Sequence, residues 1–264
     1  MILKRELKVN FKSFLIWTGI LIVLFLAVFL VYPSIMSSEN VELMNEMMKV
    51  FPEELLKAFN MDIATMDSAF GYLKTEGMLF IALFGGIYAS TLGSSILLKE
   101  EDDKTIEYLN TLPVKRRSIL LQKIVCSLFY IILFVICIGI FNYIGLEVLE
   151  DFDRKLYLLL SITPIFAILP LFAINLFIST FSRKTKKTFS LGLGITLVSY
   201  FLLMLAEMSE ESEFFKYLSV YTLSDIRNVI LNIEINPIMV IISILITLVF
   251  IVLSFVRYEK KELV

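Results

Sequence analysis

The charged segment Lys99–Lys123 is the best candidate for a functional surface, because it separates two strongly apolar runs. Within it Ile106, Leu109 and Leu112 recur at three-residue spacing, and Pro113 ends the pattern. Acidic residues crowd the start of the segment, where they favour a helix N-terminus. A short charged helix with an apolar ridge is suited to docking into a groove on another protein. A solvated loop is the alternative interpretation.

Catalytic chemistry is poorly supported by the residue types. The chain has no histidine, which excludes His-ligated metals and Ser–His or Cys–His catalysis. Its two cysteines, Cys126 and Cys137, lie in one apolar run and are interpreted as small apolar residues of a membrane helix. No G-x-x-x-x-G-K-[ST] phosphate loop occurs. We therefore expect no catalytic residue, metal site or bound cofactor in this chain.

The elements that must position the charged segment are membrane spans. Apolar residues make up 58% of the 264 residues, against about 45–50% in soluble domains. Six apolar runs are each about long enough to cross a bilayer. They cover about residues 14–32, 77–98, 124–146, 156–180, 189–206 and 237–256. The sequence predicts an all-α integral membrane protein, with one transmembrane domain over residues 1–264. No basic patch with interleaved aromatics indicates nucleic acid as a partner.

Three polar segments flank the spans. Residues 1–13 are basic and amphipathic, which predicts a short helix in the membrane interface or a plain positive flank. Residues 34–75 contain an apolar stripe at helical spacing that suits contact with cargo, lipid or neighbouring helices. The stripe comprises Met44, Met47, Met48, Phe51 and Leu55. Residues 207–236 form the second outer segment, and its conformation stays open, as does that of residues 34–75.

Charge distribution predicts the orientation. Seventeen Lys and Arg residues fall on the side of the N-terminus, the central segment, the linker 181–188 and the tail, and seven fall on the other. The richer side is expected to be cytoplasmic, so both termini are predicted inside.

Asp, Glu, Lys and Arg are missing from the middle of all six spans. Ion-driven transporters usually place such groups near the membrane midplane. If the chain transports, its energy must therefore come from elsewhere. Glu76 and Glu207 lie at the outer ends of spans, where we expect solvated helix ends; the alternative is that they line an exit.

The central segment resembles that of the ABC-2 type permeases, the membrane subunits of one large group of ABC transporters. The shared pattern is an acidic pair, a threonine, a leucine-rich turn, Pro-Val and basic residues after the second span. The matching residues are Glu100, Glu101, Thr105, Ile106, Glu107, Leu109, Leu112, Pro113, Val114, Arg116 and Lys123. The sequence departs from the family at Lys104, where glycine is usual, and at Ser219-Val220, where Ser-Pro is frequent.

The resemblance implies that the segment is a cytoplasmic coupling helix that docks on a separate nucleotide-binding subunit, which would hold ATP and Mg²⁺. The implied docking residues are Glu100, Glu101, Thr105, Ile106, Leu109, Leu112, Pro113 and Arg116. Arg183, Lys184 and Lys186 of the basic linker are candidates for a second contact. The first and fifth spans would meet a second permease copy, identical or related, and Gly192 and Gly194 would permit close approach.

The favoured function is the permease subunit of an ATP-driven exporter in the cell membrane. An uncharged pathway favours an amphipathic or apolar cargo, such as an antimicrobial peptide, an antibiotic or a lipid. A secondary transporter or channel is one alternative, although it predicts charges at the midplane. A membrane anchor that docks a soluble enzyme is another, and an enzyme is the weakest interpretation.

Overall fold

The computed structural model describes residues 2–35, 68–103 and 114–261, apart from the side chains of Ile35 and Glu210. Regular structure in these ranges is entirely helical. Six helices are long and apolar enough to cross a membrane: Ile2–Ser34, Ala69–Ser95, Arg116–Leu149, Arg154–Ser179, Thr185–Met208 and Pro237–Lys260. The predicted all-α membrane fold with six spans is confirmed.

The first span differs from the prediction at its beginning. One helix, Ile2–Ile35, continues from the basic N-terminal residues through the whole apolar run and past Pro33. Residues 2–13 therefore do not form a separate interfacial helix. The reason is an inward-facing stripe at three- and four-residue spacing that runs without a break. Its buried members are Ile2, Glu6, Asn10, Phe14, Thr18, Leu21, Phe25, Phe29 and Tyr32.

Two spans are interrupted. The second contains a π-helical turn, Leu73–Gly77, before its long α-helix Met78–Ser95. The fourth consists of helices Arg154–Ile162 and Ile165–Ser179. The break follows from Pro164, which has no backbone N–H to donate. The Leu160 carbonyl instead accepts a hydrogen bond from the Thr163 hydroxyl at 2.7 Å.

The core of the bundle lies around the second and fourth spans. The helix Ile165–Ser179 packs against both the second and the sixth span, the fifth span packs on the second, and the first pairs with the third. In its most apolar stretch, 72% of the second span is buried, compared with 17% of the sixth. The outer faces of the peripheral spans are rich in exposed Leu, Ile and Val, as expected of surfaces that meet lipid or another membrane subunit.

Short helices connect the fifth and sixth spans. These are the 3-10 helices Glu210–Leu218 and Val220–Ser224 and the α-helix Ile226–Asn232. At Ser219-Val220, the Ser219 hydroxyl accepts from the backbone N–H of Tyr221 at 3.2 Å. The Ser199 hydroxyl of the fifth span accepts from the backbone N–H of Val220 at 2.7 Å. This turn is thus held against the fifth span without the proline that is frequent in the resembled family.

Candidate functional site

A buried ion cluster ties the start of the central segment to the first and third spans. The Lys123 ammonium donates to Glu100 Oε2 at 2.8 Å and lies 3.4 Å from Glu6 Oε1. It also donates to the Ile96 carbonyl at 2.5 Å. Lys99 forms a second ion pair with Glu6, and Arg5 reaches Glu100 at 3.8 Å. Three separate stretches of chain therefore meet at one group of charges.

The cluster is buried as well as paired. Glu6 is 0% exposed, and Glu100 and Lys123 are 1% exposed. Removing charges from water is costly, so a buried charge persists only where partners and hydrogen bonds replace the solvent. Here the Lys123 ammonium has three acceptors and each carboxylate has at least two cations nearby. This arrangement fixes the position at which the central segment leaves the membrane.

The next two acidic residues contact two other helices. Glu101 pairs with Lys261, just after the sixth span, at 2.5 Å. Lys261 also donates to the Ser182 carbonyl at 2.7 Å. Asp102 accepts from the backbone N–H of Thr185 at 3.0 Å, at the start of the fifth span, where a carboxylate also interacts favourably with the helix dipole. Three consecutive acids thus reach three different parts of the bundle.

The other side of the central segment is anchored to the sixth span. The Arg116 guanidinium donates to the Lys261 carbonyl at 2.9 Å, and Arg117 forms a bidentate ion pair with Glu259. That pair lies at the surface and contributes little stability on its own. These contacts do restrict the position of the segment, because it is now attached to the bundle both before and after residues 104–113.

The family of the chain follows from comparison with known families. The family model described as ABC-2 family transporter protein matches residues 1–263. The chain belongs to the ABC-2 transporter family. It is therefore a permease subunit of an ABC transporter, and the family implies an ATP-binding partner subunit. Comparisons with curated proteins and with solved structures find no match.

The docking residues predicted for this ABC-2 permease fall into two groups. Thr105, Ile106, Leu109, Leu112 and Pro113 lie outside the described residues, as does the methionine stripe of residues 44–55. Of the described ones, Arg116 is exposed, whereas the Glu100 and Glu101 side chains are nearly inaccessible because both pair within the chain. Glu100 and Glu101 therefore attach the start of the segment to the helix bundle. Docking itself stays a prediction.

The basic linker lies beside this attachment. Arg183, Lys184 and Lys186 are all exposed at the end of the bundle that carries the central segment. Arg183 lines a pocket with Arg257, Lys260 and Lys261. A contact between the linker and a partner ATPase stays a prediction. In the described ranges, no group of His, Cys, Asp and Glu has the arrangement of a metal site.

The two glycines of the fifth span face different surroundings. A side-chain carbon on Gly192 would overlap the amide of Asn175 on the fourth span, whereas Gly194 has open space around it. Asn175 also donates to Ser90 at 3.0 Å, and Ser90 lies 2.7 Å from the Thr196 hydroxyl. Gly192 therefore permits close packing within the chain. An interface with a second permease stays a prediction. The open space around Gly194 is compatible with it.

At the opposite end of the ABC-2 permease, several buried polar atoms have no hydrogen-bond partner among the described residues. Glu76, on the π-helical turn, is 8% exposed, and its Oε1 has no hydrogen-bond partner among the described residues. Tyr221 Oη and Ser224 Oγ are in the same situation. Burial raises the pKa of Tyr221 above its ordinary value. The expectation of a solvated helix end is thus wrong for Glu76, and Glu207 is half-buried.

Sequence reasoning missed Glu6, Asp102 and Lys261 as members of the site. Glu6 carried one usable signal, since it is an acid in a strongly basic stretch with Asn10 one turn later. Asn10 does donate to the Glu6 carbonyl at 2.8 Å. Asp102 and Lys261 carried no such signal, because their partners lie 83 and 160 residues away in the chain.

Proposed function

We propose that this ABC-2 permease belongs to an exporter driven by ATP hydrolysis in a separate nucleotide-binding subunit, which holds the ATP and Mg²⁺. The segment between the second and third spans is the docking element. The permease contributes the membrane pathway and converts movement of the docked segment into movement of its spans.

The observation that carries the proposal is that Glu100, Glu101 and Asp102 each contact a different part of the helix bundle. Glu100 connects to the first and third spans, Glu101 to the end of the sixth, and Asp102 to the start of the fifth. Rigid elements joined by ion pairs and hydrogen bonds carry coupling between sites when they have two discrete arrangements. A displacement of this segment is therefore passed to several spans at once.

The orientation and assembly follow from charge and exposure. The end that carries the central segment holds most of the Lys and Arg residues, which supports a cytoplasmic location for it and for both termini. The first and fifth spans present exposed apolar faces. A second permease, identical or related, would cover these faces, with Gly194 at a point of close approach.

The cargo class is amphipathic or apolar. Support comes from the absence of Asp, Glu, Lys and Arg in the middle of the six predicted spans, because a strongly charged cargo would need partners along its path. Amphipathic peptides, apolar antibiotics and lipid-like molecules all fit this description. Export is the proposed direction of transport.

The docking test is co-purification from the native cell in mild detergent. Leu109→Asp should abolish recovery of a phosphate-loop ATPase, because burying an unpaired carboxylate at the predicted ridge costs several kcal/mol. Leu231→Asp is the matched control, since Leu231 is 70% exposed at the opposite end of the bundle. Absence of an ATPase from the wild-type sample would remove the proposed energy source and favour the channel or anchor alternatives.

A second variant separates docking from transmission. Glu101→Gln removes the ion pair with Lys261 but leaves the predicted ridge intact, so the ATPase should still co-purify. ATP hydrolysis should lose its stimulation by cargo in reconstituted vesicles, with at least an approximately fivefold fall expected for a coupling free energy of about 1 kcal/mol. Wild-type-like stimulation in Glu101→Gln would contradict the transmission role while leaving docking in place.

A further inference from the structure

A basic pocket lies between the ends of the fourth and sixth spans. It encloses about 350 Å³, and its lining residues are Thr180, Phe181, Arg183, Arg257, Lys260 and Lys261. Both spans end here, so the pocket is at the level where the membrane-crossing helices meet the aqueous phase. Four of the six lining side chains are cationic, and none is acidic.

The positive charge of the pocket is only partly neutralised by the chain. Lys261 pairs with Glu101 at 2.5 Å and donates to the Ser182 carbonyl. Among the described residues, no carboxylate lies within ion-pair distance of Arg183, Arg257 or Lys260. Burial lowers the pKa of Lys261. The pair with Glu101 opposes this shift, and the charges of Arg183 and Arg257 add to it. The pocket thus has an excess of cations suited to an anion.

Apolar side chains continue from the pocket towards the membrane interior. Phe181 is 60% exposed, and the Arg257 guanidinium lies 4.9 Å from its ring centroid. The Phe181 ring is 5.1 Å from that of Phe177, which is 5.6 Å from that of Phe250 on the sixth span. A ligand in this position meets cations at one end and a line of aromatic rings at the other. That combination matches an amphiphile better than a free anion.

We propose that this pocket binds the phosphate headgroup of an anionic phospholipid whose acyl chains lie along Phe181, Phe177 and Phe250. Basic pockets between membrane helices are suited to such headgroups, because the surface charge of the lipids and the cations of the protein attract one another. The inference needs only that the chain spans the membrane, so it does not depend on docking or on ATP-driven export.

The test is native mass spectrometry of the purified full chain, titrated with dioleoyl-phosphatidylglycerol or dioleoyl-phosphatidylcholine. We expect saturable binding of phosphatidylglycerol alone. Arg183→Gln/Arg257→Gln should weaken it by about tenfold or more, given that each basic residue contributes on the order of a factor of five near an anionic surface. Lys4→Gln/Lys8→Gln is the matched control, since it removes two exposed cations from the same end of the bundle and should change affinity less than about twofold.

Several results would overturn the proposal. Equal losses in the two double variants would mean general attraction to a basic surface. Full competition by inorganic phosphate at millimolar concentration would identify a site for a free anion. If Arg183→Gln/Arg257→Gln keeps its phosphatidylglycerol affinity but no longer retains a co-purifying ATPase, the pocket is a protein contact. A circular dichroism spectrum with wild-type helicity verifies that each variant is folded.

Discussion

At the end of the bundle that carries the central segment, the buried carboxylates of Glu6 and Glu100 have cations beside them. At the opposite end, the buried Glu76 carboxylate has none within ion-pair distance among the described residues, and one of its oxygens accepts no hydrogen bond there. Both regions exclude water, but only the first supplies replacements for it.

This difference has an energetic meaning. A buried polar group without a partner costs about 1–3 kcal/mol, whereas a fully paired cluster fixes one arrangement. The first region is therefore suited to transmitting movement without deforming. Glu76 lies on a π-helical turn, a distortion that occurs frequently at functional sites.

The largest expected effect is loss of the central cation of the paired cluster. Lys123→Met leaves Glu6 and Glu100 facing one another without their shared ammonium. Because Lys99 and Arg5 stay beside the two carboxylates but Lys123 holds both of them in the buried centre, the free energy of unfolding should fall by about 3 kcal/mol, the lower end of the range for a broken buried pair. Thermal unfolding of the purified protein in detergent measures this change.

Two controls accompany Lys123→Met. Lys187→Met removes an exposed cation from the same end of the bundle and should leave the unfolding temperature unchanged. Glu6→Gln/Glu100→Gln/Lys123→Met removes the stranded charges as well and should recover part of the loss. If Lys123→Met and Lys187→Met behave alike, the cluster is solvated and the comparison between the two ends fails.

A smaller effect is expected in the middle of the bundle, between the two regions. Gly192→Ala forces a side-chain carbon into the Asn175 amide, and overpacking of this kind costs about 1–3 kcal/mol. Gly194→Ala meets open space and should instead stabilise the helix by up to about 1 kcal/mol. Thermal unfolding of both variants tests this difference in sign. Similar destabilisation by both would indicate that the two glycines share a packed surface.

The smallest effect should come from the unpaired region. Glu76→Gln keeps the size of the side chain but removes the ionisable group, so stability should be unchanged or rise by about 1 kcal/mol. Glu100→Gln is the paired counterpart and should destabilise, because Lys123 then loses its closest carboxylate. Equal destabilisation by the two substitutions would show that Glu76 has a cationic partner in the folded protein.

The fold was largely predictable because its determinants are local. Apolar runs of sufficient length predict spans, and the six helices found overlap the six runs. The N-terminal helix was the exception. The amphipathic pattern of residues 1–13 predicted a separate interfacial helix, but Ile2, Glu6 and Asn10 are buried and continue the inward-facing stripe of the first span. Because Glu6 and Asn10 are polar, a prediction based on hydrophobicity alone does not identify this face as buried.

The sequence by itself determined the class of molecule, the number of spans and the location of the central charged segment. Each depends on composition or spacing within a few turns of helix. Only the tertiary structure decided which charges meet, since Glu6 pairs with Lys99 and Lys123 across 93 and 117 residues, and Glu101 with Lys261 across 160. It also decided that Gly192 packs inward while Gly194 does not. Such pairings depend on how helices are arranged around one another, which periodicity along a single helix does not encode.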